Sequence, residues 1–195
     1  MLTIKVILGS TRPNRFSEKV AAWLKDVLPK KEGVQFEFLD LRDYPLPFYD
    51  QPVSPSGVKD GNYANEVAKH WAKEIGNADA FIIIAPEYNH GPTAVLKNAL
   101  DSVYAEWNNK AVGFVAYGSA GGARSVEQLR EIAVELQMAP IRSAVHIPVP
   151  WMLLDEKGGL KPGALDQYAQ PLESMLAQLV WWADALKSAR EKAAQ

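Results

Sequence analysis

The sequence predicts an α/β fold: a doubly wound, five-stranded parallel sheet of order 2-1-3-4-5 with helices on both faces. Three observations predict it. Strand-like and helix-like segments alternate five times along the 195 residues, the order that builds a parallel sheet covered by helices. The run Ala80-Phe81-Ile82-Ile83-Ile84-Ala85 is apolar without alternation, as a strand covered on both faces should be. Right-handed crossovers and short loops then select the doubly wound arrangement.

Taken in order, Leu2-Thr3-Ile4-Lys5-Val6-Ile7-Leu8 is a β-branched run suited to a first strand. A helix is expected from Ser17, through Val20, Ala21, Trp23, Leu24, Val27 and Leu28, with Pro29 ending it. Ser17 and Glu18 would supply a hydroxyl cap and a carboxylate near the positive end of the helix dipole. Val34-Gln35-Phe36-Glu37-Phe38-Leu39 alternates apolar and polar residues, which suits a half-buried strand towards the sheet edge. Residues Arg42 to Gly61 hold Pro45, Pro47, Pro52 and Pro55 among Tyr44, Phe48 and Tyr49, so an irregular but ordered loop is expected. That loop either folds over its own domain or meets a ligand or second subunit, where aromatics are enriched.

Asn62 is the expected cap of a helix through Val67, Trp71 and Ile75, closed by Gly76. After the Ala80–Ala85 strand and the loop Pro86 to Pro92, a helix resumes near Thr93 with Val95, Leu96, Ala99, Leu100 and Val103. A fourth strand follows from Ala111 to Tyr117, then a glycine-rich loop and a helix through Val126, Leu129, Ile132, Ala133 and Leu136. Ile141 to Ile147 reads as the fifth strand. A Pro/Gly-punctuated stretch from Pro148 to Gly163 leads into a last helix from about Asp166 to Ala189, carrying Trp181 and Trp182. No repeat or linker divides the chain, so residues 1–195 are expected to form one domain.

Composition narrows the function classes. Hydrophobic residues make up 48% and charged residues 23%, with a formal net charge of −2; neither nucleic acid nor an acidic membrane is suggested as a partner. There is no cysteine, which removes disulfides, thiol nucleophiles and iron–sulfur clusters together. The opening residues lack the charged-then-apolar pattern of a signal peptide. No apolar stretch reaches the roughly 20 residues that span a bilayer. The expected compartment is the cytoplasm.

Three loops leave strand ends with unusual residues, and in a doubly wound sheet such loops border one crevice at the switch in strand order. The first is Gly9-Ser10-Thr11-Arg12-Pro13-Asn14-Arg15-Phe16-Ser17. A strand that stops at glycine and re-enters as a helix leaves free N–H groups at the helix start, an anion site by geometry and dipole. Ser10, Thr11, Asn14, Ser17, Arg12 and Arg15 add donors suited to a terminal phosphate; taken alone, the loop could equally be an ordinary turn facing water. The second loop, Pro86-Glu87-Tyr88-Asn89-His90-Gly91-Pro92, is fixed at both ends by proline and can offer backbone groups to a ring edge. In the third, Gly118, Gly121 and Gly122 permit close approach of the backbone, although turn geometry alone would also explain each glycine. Together the loops ask for a mononucleotide with a flat ring, and FMN fits.

The Gly9–Ser17 stretch, Pro86-Glu87-Tyr88-Asn89, Leu96-Lys97-Asn98-Ala99-Leu100-Asp101 and Gly118-Ser119-Ala120-Gly121-Gly122-Ala123-Arg124 together resemble the NAD(P)H-dependent FMN reductases, a family that includes quinone, azo-dye and chromate reductases. The resemblance runs in order from about residue 2 to 150 and implies a flavodoxin-like fold with one FMN per subunit. It implies a phosphate site at Ser10, Arg12, Asn14 and Ser17, with Arg15 as an extra contact. The flavin ring would meet Pro86, Glu87, Tyr88 and Asn89, and Gly118, Ser119, Gly121 and Gly122 would border it. It further implies a homodimer or dimer of dimers, with Lys97, Asn98 and Asp101 near the interface.

The expected chemistry is hydride transfer from NAD(P)H to flavin N5, then ping-pong reduction of quinones, azo compounds, free flavin or similar small acceptors. Backbone N–H groups of the glycine loop would stabilise negative charge near flavin N1. No side chain is nominated as a general acid or base, and no metal spacing stands out. His90 either touches a ligand or is a plain loop histidine; His70 and His146 read as structural or surface residues. Two other readings are a flavodoxin-type electron carrier and a regulatory protein that senses flavin or redox state. The arginines of the first loop and the mild net charge count against the carrier.

Overall fold

The computed structural model of the protein describes residues 1–28 and 33–193. Its five strands are β1 (Leu2–Leu8), β2 (Val34–Asp40), β3 (Ala80–Pro86), β4 (Ala111–Gly118) and β5 (Ala139–Pro148). They form one sheet of order β2-β1-β3-β4-β5, and every pairing is parallel. The helices are α1 (Phe16–Val27), α2 (Glu66–Gly76), α3 (Ala94–Asp101), α4 (Ala123–Glu135) and α5 (Ala169–Ala193). This is the doubly wound, flavodoxin-like arrangement that the alternating sequence predicts.

Side-chain alternation divides the core in two. On one face Ile4, Val6, Ile82, Ile84, Val115 and Val145 pack under α1 and α5, with Val20, Leu24, Met175 and Leu179. On the other, Ile7, Phe81, Ile83, Val112 and Phe114 meet Trp71, Leu96, Leu100, Val126 and Leu129 of α2, α3 and α4. β3 is buried along its whole length because helices cover both its faces. Each fully buried Ile or Phe there contributes about 2 kcal/mol of transfer free energy. β2 is one of the two edge strands and only half-buried, in keeping with its alternating sequence.

Several element ends differ from the sequence expectation. α1 begins at Phe16, with Arg15 at the cap position and no side-chain cap. Ser17 therefore lies inside the first turn, fully buried, and its hydroxyl does not cap the helix. The helix runs to Val27; the expected stop at Pro29 lies outside the described residues. α2 is capped by Asn65, not Asn62: the Asn65 side chain accepts from the N–H groups of Val67 and Ala68 at 2.9 and 3.1 Å. Asn65 wins because its oxygen reaches the orphan donors of the turn that starts at Glu66. α3 stops at Asp101, leaving Val103 buried beyond it. The proline-rich loop holds one turn of 3-10 helix, Pro55–Gly57. α5 starts at Ala169 after a separate 3-10 turn at Asp166–Tyr168. Among the described residues no helix is long and apolar enough to cross a membrane.

Candidate active site

The three unusual loops lie side by side at the carboxyl ends of β1, β3 and β4, where the strand order reverses, and backbone bonds stitch each to its neighbour. Gly9 N–H donates to Ile84 O at 3.0 Å, Glu87 N–H to Tyr117 O at 3.0 Å, and Val149 N–H to Gly118 O at 2.9 Å. A Cβ on Gly9 would lie 2.7 Å from Ile84 O, so only glycine lets the first loop leave the sheet this close to β3. Thr93, the cap of α3, donates its Oγ1–H to Gly9 O at 2.6 Å while accepting from Leu96 N–H at 3.2 Å. One hydroxyl thus fixes both the first loop and the helix after the second.

Within the first loop, Ser10 is buried and its Oγ accepts from Arg12 N–H at 3.4 Å. Asn14 takes a positive φ of 53°, which turns the chain into α1. The two arginines part company. Arg15 is buried, bonds the Ser10 carbonyl and forms a two-pronged pair with Asp40 at the end of β2, Nη1 to Oδ1 at 2.9 Å. Burial pushes the Asp40 carboxyl up, but the Arg15 guanidinium outweighs it and holds the carboxyl below its usual range. Arg12 is exposed, with Nη1 donating to Tyr88 Oη at 3.2 Å and the guanidinium 5.8 Å from the Tyr88 ring centre. Arg42 props the loop from outside, its Nε–H donating to Thr11 O at 3.2 Å and its Nη1 to Glu18 at 2.6 Å.

At the start of α1 the Ser17 hydroxyl and the Arg15 Nε–H are buried without a hydrogen-bond partner. Helix starts of this kind leave orphan N–H donors and a positive dipole end. An uncapped twelve-residue helix with an unpaired buried hydroxyl and an exposed guanidinium beside it suits a phosphate. Tyr117 closes the floor of this corner, edge-on to Phe16 at 5.1 Å, and burial pushes its phenol up to about 12.

The second loop is a two-residue hairpin. Tyr88 and Gly91 exchange both backbone bonds, at 2.9 and 3.0 Å, and Asn89 and His90 between them have φ of 48° and 70°, the geometry of a type I′ turn. Tyr88, Asn89 and His90 face solvent, whereas Pro86 and the Glu87 carboxylate point inward. Glu87 accepts from the Arg124 backbone N–H at 3.1 Å and from its Nε–H at 2.7 Å. In the third loop Ser119 is exposed and Gly122 caps α4 at φ 73°. A Cβ on Gly122 would sit 2.6 Å from the Ala116 Cβ, so packing requires this glycine. His146 Nδ1 lies 3.0 Å from Gly121 O, which makes that histidine a buttress of the third loop. An apolar groove of about 620 Å³ between β2 and α5, lined by Val34, Phe36, Leu172 and Leu176, lies away from these loops.

The structure therefore sets Ser10, Arg12, Asn14 and Ser17, then Pro86, Tyr88 and Asn89, then Gly118, Ser119, Gly121 and Gly122, on three adjoining loops at the carboxyl end of the sheet. It commits the side chains of Arg15 and Glu87 to Asp40 and Arg124. A match to the NADPH-dependent FMN reductase family extends over residues 2–151, across all three loops. The chain belongs to this family. An NAD(P)H-dependent FMN reductase of Schizosaccharomyces pombe is 37% identical over 147 residues, 74% of this chain and 73% of that one. A second, from Saccharomyces cerevisiae, is 32% identical over 164 residues, covering 80% and 86%. Among solved structures, the flavoenzyme NAD(P)H:(acceptor) oxidoreductase FerB from Paracoccus denitrificans superposes with a TM-score of 0.68 over 96% of this chain and 98% of its own, at 20% identity. That likeness is one of fold.

Sequence reasoning about this family member gave no role to Thr93, Asp40, Arg42 or Arg124. Thr93 was legible as a cap. Arg124 carried a subtler signal: a cation in the first turn of a helix opposes the dipole and asks for a compensating carboxylate. The Asp40 pair left no signal, since nothing local links Arg15 to the end of β2.

Proposed function

We propose that the crevice holds one FMN per chain and that the chain reduces quinone-type acceptors there with NAD(P)H. The observation that carries this reading is the start of α1, which no side chain caps and where the buried Ser17 hydroxyl, with the Tyr117 phenol beside it, makes no hydrogen bond of good geometry. Free N–H groups at such a helix start are an anion site. Bound FMN would supply the redox chemistry, accepting an electron pair and proton from NAD(P)H and passing them to a quinone, an azo compound or free flavin.

The chain's own residues bind and orient. Ser10, Arg12, Asn14 and Ser17 hold the terminal phosphate, with Arg12 leaving Tyr88 to do so. Arg15 supports that seat from behind through its bonds to Ser10 O and Asp40. Pro86, Tyr88 and Asn89 line one side of the ring slot, and Gly118, Ser119, Gly121 and Gly122 the other; Glu87 acts from beneath. A homodimer or dimer of dimers would use the outer face of α3. Lys97 and Asp101 pair there at 2.5 Å, and Asn98 holds the proline-rich loop through Leu46 O and Pro47 O, both at 3.1 Å. The test is titration of the flavin-free protein with FMN, followed by NADPH oxidation in the presence of a benzoquinone. Saturable binding of one FMN per chain and quinone-dependent turnover are expected. Turnover no faster than with free FMN alone would overturn the reading.

A further inference from the structure

We propose that Arg124 is a positioning residue for the flavin ring: its guanidinium ties the loop after β3 to the loop after β4 and so sets the width of the slot between them. This rests on the FMN reading above and assigns a part to a residue that acts through its neighbours.

The geometry is that of a three-way clamp. Arg124 Nε–H donates to Glu87 Oε1 at 2.7 Å, Nη2 pairs with the same carboxylate, and the Arg124 backbone N–H donates to Oε2 at 3.1 Å. Nη1 lies 2.8 Å from His90 Nε2 and Nη2 lies 3.4 Å from Ser119 Oγ. A guanidinium only donates, so His90 Nε2 is the acceptor in that pair. One planar group therefore reaches the base and the tip of the second loop and the start of the third. The first turns of α4 add Ser125 Oγ–H to Pro86 O at 3.0 Å and Gln128 Nε2 to His90 O at 2.7 Å.

The Glu87 side chain is 3% exposed and both of its carboxylate oxygens are taken by Arg124. It serves as the counter-charge that makes an arginine tolerable at the start of α4, and as a remote cap where Gly122 offers no side chain. The fit is close on the other side as well, since a Cβ on Gly118 would meet Glu87 Cβ at 3.0 Å. Shifting Arg124 therefore shifts Glu87, and with it the backbone on both sides of the slot.

Two variants test the clamp: Arg124→Lys, which keeps the charge and loses the fork, and the double variant Glu87→Gln/Arg124→Gln, which leaves no lone buried charge. In flavin-free protein, amide hydrogen exchange should quicken in residues 87–90 and 118–124 of both variants and stay unchanged in residues 9–17. With flavin, FMN and riboflavin should each bind about tenfold more weakly, the ratio of the two affinities should hold, and the visible band of bound flavin should shift. Wild-type exchange and wild-type flavin spectra in both variants would overturn the proposal. So would a collapse of the FMN-to-riboflavin ratio, which would put the effect in the phosphate loop. A wild-type protein that binds no FMN would defeat the functional reading, and the exchange data would still decide the clamp.

Discussion

Arg15 and Asp40 lie 25 residues apart in sequence and meet as a part-buried pair, Nη1 to Oδ1 at 2.9 Å, with the Arg15 side chain 1% exposed. The pair fixes the back of the first loop to the end of the edge strand, and it leaves Arg12 as the exposed guanidinium of that loop. Asp40→Ala strands a buried cation and should cost about 2–3 kcal/mol, at the low end for broken buried pairs because Asp40 itself is part-exposed. Urea denaturation measures it, and FMN binding should weaken in parallel.

Arg12 and Arg15 should then respond differently to ligand chemistry. Arg12→Gln removes a charge-assisted contact with a phosphate and should weaken FMN about tenfold, while riboflavin, which has no phosphate, should bind as before. Fluorescence titration with the two flavins checks this. Equal weakening of both would place Arg12 elsewhere than at the phosphate.

Thr93→Val keeps the shape and loses both the cap of α3 and the bond to Gly9 O. The cost should be about 1–2 kcal/mol, with Thr93→Ser recovering most of it. Thermal melts of the three proteins decide.

Lys110 gives a pH prediction. Its Nζ is buried against Ile75 O and Gly76 O at 2.7 and 2.9 Å, the last carbonyls of α2, and burial pulls its pKa down to about 7. A base with a folded pKa below its unfolded value of 10.5 binds fewer protons when folded, so stability rises with pH across the interval from about 7 to 10. Lys110→Met should flatten that rise. The carboxylates tilt stability the same way, but over the acid range: Asp40, Asp79 and Glu87 are buried in ways that raise their pKa, yet their cationic partners hold all three below the usual range. Their contribution is present above the carboxylate range and is lost as pH falls through it. Denaturant midpoints between pH 3 and 10, on the order of one per unit, read both effects.

Much of this was legible in the chain itself. β3 is apolar on both faces because helices cover both, and the alternation of Val34 to Leu39 marks an edge, so a doubly wound sheet follows from pattern and handedness, while the order 2-1-3-4-5 comes with the flavodoxin-like fold. The three loops were readable because glycine and proline at strand ends have few other uses. What periodicity does not carry is choice between similar local candidates. Asn62 and Asn65 are equally good caps on paper, and the oxygen that reaches the free N–H groups decides. Nor does it carry pairing across the fold: Arg15 looks like a second phosphate ligand until Asp40 stands beside it, and Glu87 looks like a ring contact until Arg124 takes its carboxylate.

The most direct measurement is stopped-flow mixing of the FMN-loaded protein with NADPH in the absence of oxygen, followed by a benzoquinone. The account predicts that the flavin band bleaches at least as fast as steady-state turnover and returns in full on quinone addition. A bound flavin that NADPH leaves oxidised, or bleaches more slowly than the enzyme turns over, would contradict it.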